Sequence, residues 1–277
     1  MKIKNWLNLA EKKLINSNSS RLDALLILSY GIKKSFTWLM NFQEKKIKDK
    51  EKKKINTLLN RRILCEPIAY LIKKKEFWSL PFIVSPVTFI PRPETEILIE
   101  IIDSMCNKNY KYHILDLGTG SGAIALSLAK ILPKSYITGV DNSYQAIKIA
   151  RINAKKLLIK NIFFKLSNWF SSLNKMAFNI IVSNPPYINI TDFQKLEPDI
   201  FFEPYSALVS PDEGYFDIKN IIQHSQKYLL NKGWLLIEHG STQKKIVNKL
   251  MNFNNFKNVH SYKDYQGFYR VTIGQKK

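Results

Sequence analysis

Two short stretches of this 277-residue chain carry side chains and backbone suited to chemistry. The first is Asp116-Leu117-Gly118-Thr119-Gly120-Ser121-Gly122, which follows an apolar β-prone run and opens a helix-like one. Its glycines let the backbone turn sharply and approach a ligand that a Cβ would exclude. The Gly-x-Gly-x-Gly spacing differs from the Gly-x-Gly-x-x-Gly fingerprint of nicotinamide-binding proteins. Alone, such a loop marks only a tight turn. Asp141 ends the next β-prone run, where a carboxylate can accept both hydroxyls of a ribose. With Asp116 and Asp141 at two successive strand ends, the pair of segments reads as a nucleoside site at the carboxyl edge of a parallel sheet.

The second stretch is Asn184-Pro185-Pro186-Tyr187, after the apolar run FNIIVS. Pro-Pro ordinarily marks only a loop. At a strand end, two prolines stiffen the turn, so the Asn184 Oδ1 and a backbone carbonyl become fixed acceptors for the two hydrogens of a planar NH₂ group. Tyr187 offers a face for a flat substrate. Such a site needs no strong base, because the acceptors orient and polarise the nitrogen and the proton leaves after transfer.

The elements that must position these residues follow from periodicity. Residues 3–16, 21–31, 33–42 and 45–64 place apolar side chains at helical spacing, which predicts a helical bundle. Between Tyr70 and Val84 the pieces YLI, EFW and FIV predict a short hairpin. Pro81, Pro86, Pro91 and Pro93 then stiffen the chain before a helix starting near Glu94. From residue 112 the runs HILDL, YITGVD, IFFKL, FNIIVSN and WLLIEH alternate with helix-like segments such as 122–132 and 143–157. That alternation predicts an α/β fold with a parallel sheet covered on both faces. Residues 256–274 add two closing strands, an ending that resembles the class I methyltransferase fold: Rossmann-like, with a mostly parallel seven-stranded sheet. The expected organisation is a helical domain at 1–66, a hairpin and proline-rich connector at 67–92, and a catalytic domain at 93–277.

Composition narrows the class. Hydrophobic residues make up 45% and charged residues 23%, so the chain is neither disordered nor fibrous. No apolar run approaches the roughly 20 residues of a membrane-spanning helix, and the start lacks a secretory signal, so the expected location is cytoplasmic. Cys65 and Cys106 are too few for a disulfide framework or a zinc cage and are expected to be buried small apolar residues. His113, His224, His239 and His260 lack metal-ligand spacing. The formal net charge is +21, of which +13 lies in residues 1–75. Lysines near phosphates favour nucleic acid, yet only six of the 43 basic residues are arginine, the side chain preferred for bidentate phosphate and base contacts. Abundant Lys, Asn and Ile suggest an AT-rich genome and a solvated lysine surface.

The two motifs, with RRILCEPIAYLIKKKEFWSLPFIVSP, FIPRPETE, EPDIFFEPYSAL, GWLLIEHG and DYQGFYRVTIG, resemble the protein-(glutamine) methyltransferases that modify the GGQ loop of bacterial peptide chain release factors. The resemblance covers roughly residues 20 to 275, and the segment Pro91-Arg92-Pro93-Glu94-Thr95-Glu96 is its more specific marker. It implies S-adenosylmethionine as cofactor: Gly118, Thr119, Gly120, Ser121 and Gly122 around the methionine part, Asp141 on the ribose, Trp169 against the adenine. Asn184 would touch cofactor and substrate, and Asn184, Pro185, Pro186 and Tyr187 would bracket the substrate amide as catalytic and substrate-binding residues. Asn168 departs from the acidic residue common there, which removes a charge beside the adenine. The implied partner is a class I release factor, met by a monomer, with no nucleic-acid substrate.

Two other readings stand beside it. A methyltransferase of an exocyclic amine of adenine or guanine explains the net charge and the Asn-Pro-Pro-Tyr tetrapeptide equally well. A noncatalytic scaffold that binds the cofactor fits if the site residues are relics. The amino-terminal helices and the Arg92 segment favour the protein substrate.

Overall fold

The computed structural model describes residues 1–173 and 177–277. It divides into two units, Met1–Lys74 with Glu197–Phe202, and Lys75–Leu196 with Glu203–Lys277. The division after Lys74 falls inside the 67–92 stretch expected to connect domains.

The first unit is helical, with helices at Ile3–Lys13, Ser20–Ile32, Phe36–Asn41, Asp49–Ile63 and Ile68–Ile72. Each turns an apolar stripe inward. Trp6, Leu7, Ile27, Leu28, Leu39, Ile55, Leu59 and Leu71 form one buried cluster. The Trp6 Nε1 reaches it satisfied, donating to Asn56 Oδ1 at 2.8 Å. Two helices touch at Gly31, where an added Cβ would run into Ile55 Cγ2. Arg62 pairs with the buried Asp23 at 2.7 Å, so neither charge is left alone in the interior. Residues Tyr70–Ile72, expected as a β-prone piece, are helical instead. Pro67 starts this turn with a fixed φ, and Ala69, Tyr70 and Leu71 bury together. Cys65 is only half-buried and adopts φ +66°, whereas Cys106 is buried as expected.

The second unit opens with a hairpin of β1 (Lys75–Phe77) and β2 (Leu80–Phe82). Its two-residue turn, Trp78-Ser79, takes positive φ at both positions, which matches the twist of paired strands. The main sheet comprises β3 (His113–Leu117), β4 (Tyr136–Asp141), β5 (Ile162–Leu166), β6 (Phe178–Ser183), β7 (Leu229–Glu238), β8 (Lys257–Lys263) and β9 (Tyr269–Gln275). Its order is β5-β4-β3-β6-β7-β9-β8, parallel from β5 through β7 and antiparallel across β9 and β8. Successive residues point to opposite faces. Ile114, Ile137, Ile180 and Val182 face the helices Glu96–Met105, Ala123–Ile131 and Tyr144–Lys156. Leu115, Leu117, Val140, Ile181 and Ile237 face Phe216–Ser225 and Lys244–Phe253. Burial on both faces is why these strands read as continuous apolar runs.

One buried side chain ties the segment after the hairpin to the glycine loop. Asn153, fully buried, accepts from Ile83 N at 2.8 Å and donates to Ile83 O at 3.0 Å and Ser121 O at 2.9 Å. Asn153→Ala strands these backbone groups without partners and should lower the unfolding free energy by about 3 kcal/mol. Urea denaturation checks this; a loss below about 1 kcal/mol contradicts the assignment.

Candidate active site

Parallel pairing of β3 with β4 on one side and β6 on the other brings three strand ends together. The loops that leave them carry Gly118–Gly122, Asp141 and Asn184–Tyr187. The Ser183 hydroxyl donates to Leu117 O at 2.8 Å, which fastens the β3 and β6 ends to each other.

The glycine loop is folded back on its own sheet. Gly118 N and Thr119 N both donate to Val140 O, at 2.9 and 2.8 Å, and Gly122 N donates to Thr119 O at 2.8 Å. Gly118, Gly120 and Gly122 all have positive φ. At Gly122 a Cβ would also meet Leu126 Cδ1 at 2.9 Å, so a side chain there would force its neighbours to shift; at Gly120 it would meet nothing within 4 Å, so that face of the loop is open. The Thr119 and Ser121 side chains are buried. Thr119 Oγ1 donates to Asp116 Oδ2 at 2.6 Å, and Ala125 N donates to the same oxygen at 3.2 Å. Asp116 Oδ1 is buried without a partner.

Asp141 Oδ1 accepts from Ser143 N and Oδ2 from Gly120 N, both at 2.9 Å. These bonds orient the carboxylate and leave each oxygen a further lone pair for a hydroxyl. Burial raises its pKa, against the pull of those backbone donors. Trp169, at φ +46°, lies over the loop: an ideal Cβ on Gly118 would be 3.5 Å from Trp169 Cζ3 and 4.0 Å from Asn184 O. The indole Nε1 donates to Asp217 Oδ1 at 3.1 Å, and Asp217 Oδ2 accepts from Ser210 Oγ at 2.7 Å. Nothing in the sequence pattern singled out Asp217, because it lies 48 residues from its partner and carries no motif.

Asn184 Nδ2 donates to Thr95 Oγ1 at 3.0 Å. Tyr187 turns its hydroxyl toward Glu238 Oε1, at 3.4 Å, and its ring packs against the apolar cluster beneath. Burial, and then the Glu238 charge, push the phenol pKa far above its ordinary value, so the hydroxyl stays protonated. The ring is thus anchored from below. Arg92 pairs with the buried Glu203, whose Oε2 also accepts from Ile90 N at 2.9 Å. Arg92 thereby ties the proline-rich segment down within this unit.

The residues fit S-adenosylmethionine on three counts. At Gly120 an added Cβ would meet nothing within 4 Å, so the backbone of the loop is open to a ligand there. Asp116 Oδ1 is an acceptor without a partner beneath the loop, suited to a cationic amino group. Asp141 presents an oriented carboxylate beside the same loop. Among the described residues no cluster of His, Cys, Asp and Glu could hold a metal ion.

Comparison with known proteins follows the same division. A family model described as the methyltransferase small domain matches residues 93–271, and one described as the PrmC N-terminal domain matches residues 5–72. The release factor glutamine methyltransferase of Buchnera aphidicola subsp. Schizaphis graminum is 51% identical over 277 residues, covering 100% of both chains. The protein of that name from Escherichia coli (strain K12) is 41% identical over 280 residues, covering 99% of each. Among solved structures, a 16S rRNA methyltransferase from T. thermophilus, determined with AdoMet and guanosine, superposes with a TM-score of 0.55 at 17% identity, covering 74% of this chain and 50% of that one. A methyltransferase from Pyrococcus furiosus gives a TM-score of 0.55 at 14% identity, covering 78% and 98%. At that identity the structures speak for the fold alone.

The buried carboxyl of Asp116 yields a stability test. Burial lifts its pKa from an ordinary 3.8 to about 7. Between those values the native state binds more protons than the unfolded chain, so stability falls as pH rises through the window. Asp116→Asn keeps an acceptor for Thr119 and Ala125 but removes the charge. Its melting temperature should exceed the wild type's at about pH 8 and gain little at about pH 4. Equal gains at both pH values contradict the buried-charge account.

Proposed function

Because the chain belongs to the release factor glutamine methyltransferases, we propose that Asn184-Pro185-Pro186-Tyr187 holds the side-chain amide of a release-factor glutamine while the Gly118–Gly122 loop, Asp141 and Trp169 hold the cofactor. The protein is an S-adenosylmethionine-dependent methyltransferase that methylates release factor glutamine. The GGQ loop implied by the sequence resemblance is the proposed target within that substrate. The observation that carries the site reading is the Asn184 amide: its Nδ2 is committed to Thr95, so Oδ1 remains as the acceptor for substrate.

When bound, S-adenosylmethionine supplies an electrophilic methyl group on a sulfonium sulfur. An amide nitrogen is a poor nucleophile because its lone pair is delocalised. Asn184 Oδ1 and a carbonyl of the Pro185–Pro186 turn accept its two hydrogens, which favours a pyramidal nitrogen and so stabilises the transition state more than the ground state. The stiff turn fixes those acceptors before substrate arrives, and the remaining work is orientation. With the cofactor held by the Gly118–Gly122 loop, Asp141 and Trp169, the methyl would pass to the amide nitrogen that Asn184 and the proline turn orient, and the amide would give up one proton to solvent.

The helical unit, with its excess of lysine, is proposed to grip the release factor away from the reacting glutamine, since one glutamine side chain cannot identify a protein. Exposed charges would speed encounter and be screened over about 10 Å at 0.1 M salt. Among the described residues no helix is long and apolar enough to cross a membrane. The proposed setting is the cytoplasm, where a monomer meets release factors and takes no nucleic acid as substrate. Incubation with labelled cofactor and either release factor or nucleic acid tests this: label on the release factor is expected, and label on nucleic acid alone overturns it.

Two substitutions separate the roles. Asn184→Ala should cut single-turnover methylation by roughly 10²–10³ with the fold and most cofactor affinity kept; a near-normal rate contradicts the assignment. Asp141→Ala removes charge-assisted hydrogen bonds worth roughly 1.5–3 kcal/mol each, so calorimetry should show weakened cofactor binding. Unchanged affinity would refute the ribose role.

A further inference from the structure

Two prolines stiffen the Asn184–Tyr187 turn but have no N–H to donate, so its placement depends on anchors at either end. Ahead of it, the Ser183 hydroxyl holds Leu117 O at 2.8 Å. Behind it, the peptide between Tyr187 and Ile188 is gripped at both ends of its plane. Ile188 N donates to Leu208 O at 2.9 Å, and Tyr187 O accepts from the Gln243 side chain at 3.1 Å. Ser210 N, donating to Ile188 O at 3.1 Å, secures the next residue.

Gln243 lies between β7 and the helix Lys244–Phe253 and is buried. A glutamine amide has an acceptor oxygen and two donor hydrogens, and here each has a partner. Oε1 accepts from Gly240 N at 2.8 Å, while Nε2 donates to Tyr187 O and, over a longer 3.4 Å, to Gly214 O. The reverse orientation would set Oε1 against two carbonyl oxygens and the NH₂ against an N–H, so the three partners fix which way the amide points. The approach is close: Asp212, Glu213 and Gly214 all take positive φ, and a Cβ added at Gly214 would run into Tyr187 O.

We propose that Gln243 is a positioning residue for methyl transfer: by holding Tyr187 O, it fixes the carbonyls of the proline turn and so the place where the glutamine amide sits. This deepens the reading of the turn as amide holder and rests on it. Gln243 acts through the backbone of Tyr187. Without it, that peptide plane is held at its N–H end alone and can rock about the remaining bond. The glycine loop and Asp141 are held by bonds of their own, to Val140 O and from Ser143 N and Gly120 N, so cofactor binding should be spared.

The test uses full-length enzyme and labelled S-adenosylmethionine, with single-turnover rates measured over a range of release-factor concentrations and cofactor affinity measured by calorimetry. Gln243→Met keeps the length of the side chain and loses its hydrogen bonds. Its rate at saturation should fall by roughly tenfold to a hundredfold, the upper figure being what a misplacement of about 1 Å can cost, while cofactor affinity and half-saturating release factor each change less than about threefold. Gln243→Glu keeps an acceptor for Gly240 N but, once ionised, has nothing to donate to Tyr187 O. If Gln243 served only the Gly240 turn, that variant would match the wild type. Under the proposal its rate relative to wild type at the same pH falls between about pH 6 and about pH 9 as the buried carboxyl ionises. The comparison at equal pH cancels the titratable groups that both enzymes share, among them Asp212, Glu213, Glu238 and His239. A fast Gln243→Met enzyme, a loss confined to raised half-saturation, or a Gln243→Glu enzyme at the wild-type rate throughout overturns the proposal. Should Gln243→Met fail to bind cofactor, Gln243→Glu decides alone. Wild-type enzyme that leaves release factor unlabelled fails the functional reading instead, and the proposal with it.

Discussion

The site depends on β3 lying between β4 and β6. Because the chain leaves β3 toward one side of the sheet and later returns to β6 on the other, the loops beyond these strands diverge and leave a crevice at the carboxyl edge. The register sets Leu117 opposite both Val140 and Ser183, so the next residues along each strand are neighbours. Gly118 must then pass beside the Asn184 carbonyl and under the Trp169 ring. Its backbone takes a positive φ there, which glycine adopts without a Cβ penalty. The loop proposed to hold the cofactor and the turn proposed to hold the amide are therefore brought side by side by strand pairing.

The apolar clusters on the two faces of the sheet make that edge rigid enough to carry polar groups at some cost. Asp116 and Glu238 are both fully enclosed, each has one oxygen without a partner, and each titrates at about 7 because of burial. Such groups oppose stability in the free protein. Their placement at the ends of β3 and β7 is consistent with sites whose electrostatics are arranged before ligands arrive. The same logic applies to Trp169, whose backbone is held at positive φ while Asp217 fixes its indole.

Much of this was legible in the residues. The parallel strands announced themselves as apolar runs since both faces are buried, and β3, β4 and β5 begin and end where the runs HILDL, YITGVD and IFFKL do. The glycine loop and Asn184-Pro185-Pro186-Tyr187 could be placed at strand ends from the same alternation. What periodicity could not show were partnerships across long stretches of chain. Thr95 lies 89 residues from Asn184 and stands out only as a member of the Pro91–Glu96 segment; Glu238 closes an apolar strand where it could border the site, but nothing in the sequence marks its approach to Tyr187. Tyr70–Ile72 misled because β-prone residues were recruited by a helical core, tertiary packing overriding local preference. Cys65 is half-exposed, in a left-handed turn just after a helix, where the chain leaves the core.

The central claim is that one edge of the sheet holds the cofactor and the glutamine amide side by side. Its most direct measurement is the structure of the protein crystallised with S-adenosylhomocysteine and a glutamine-containing release-factor peptide. The account predicts the cofactor sulfur against the Gly118–Gly122 loop, the ribose on Asp141, and the glutamine nitrogen within hydrogen-bonding distance of Asn184 Oδ1, on the sulfur's side of the turn. A cofactor bound away from that loop, or a glutamine facing the Asn184 nitrogen instead of its oxygen, would contradict it.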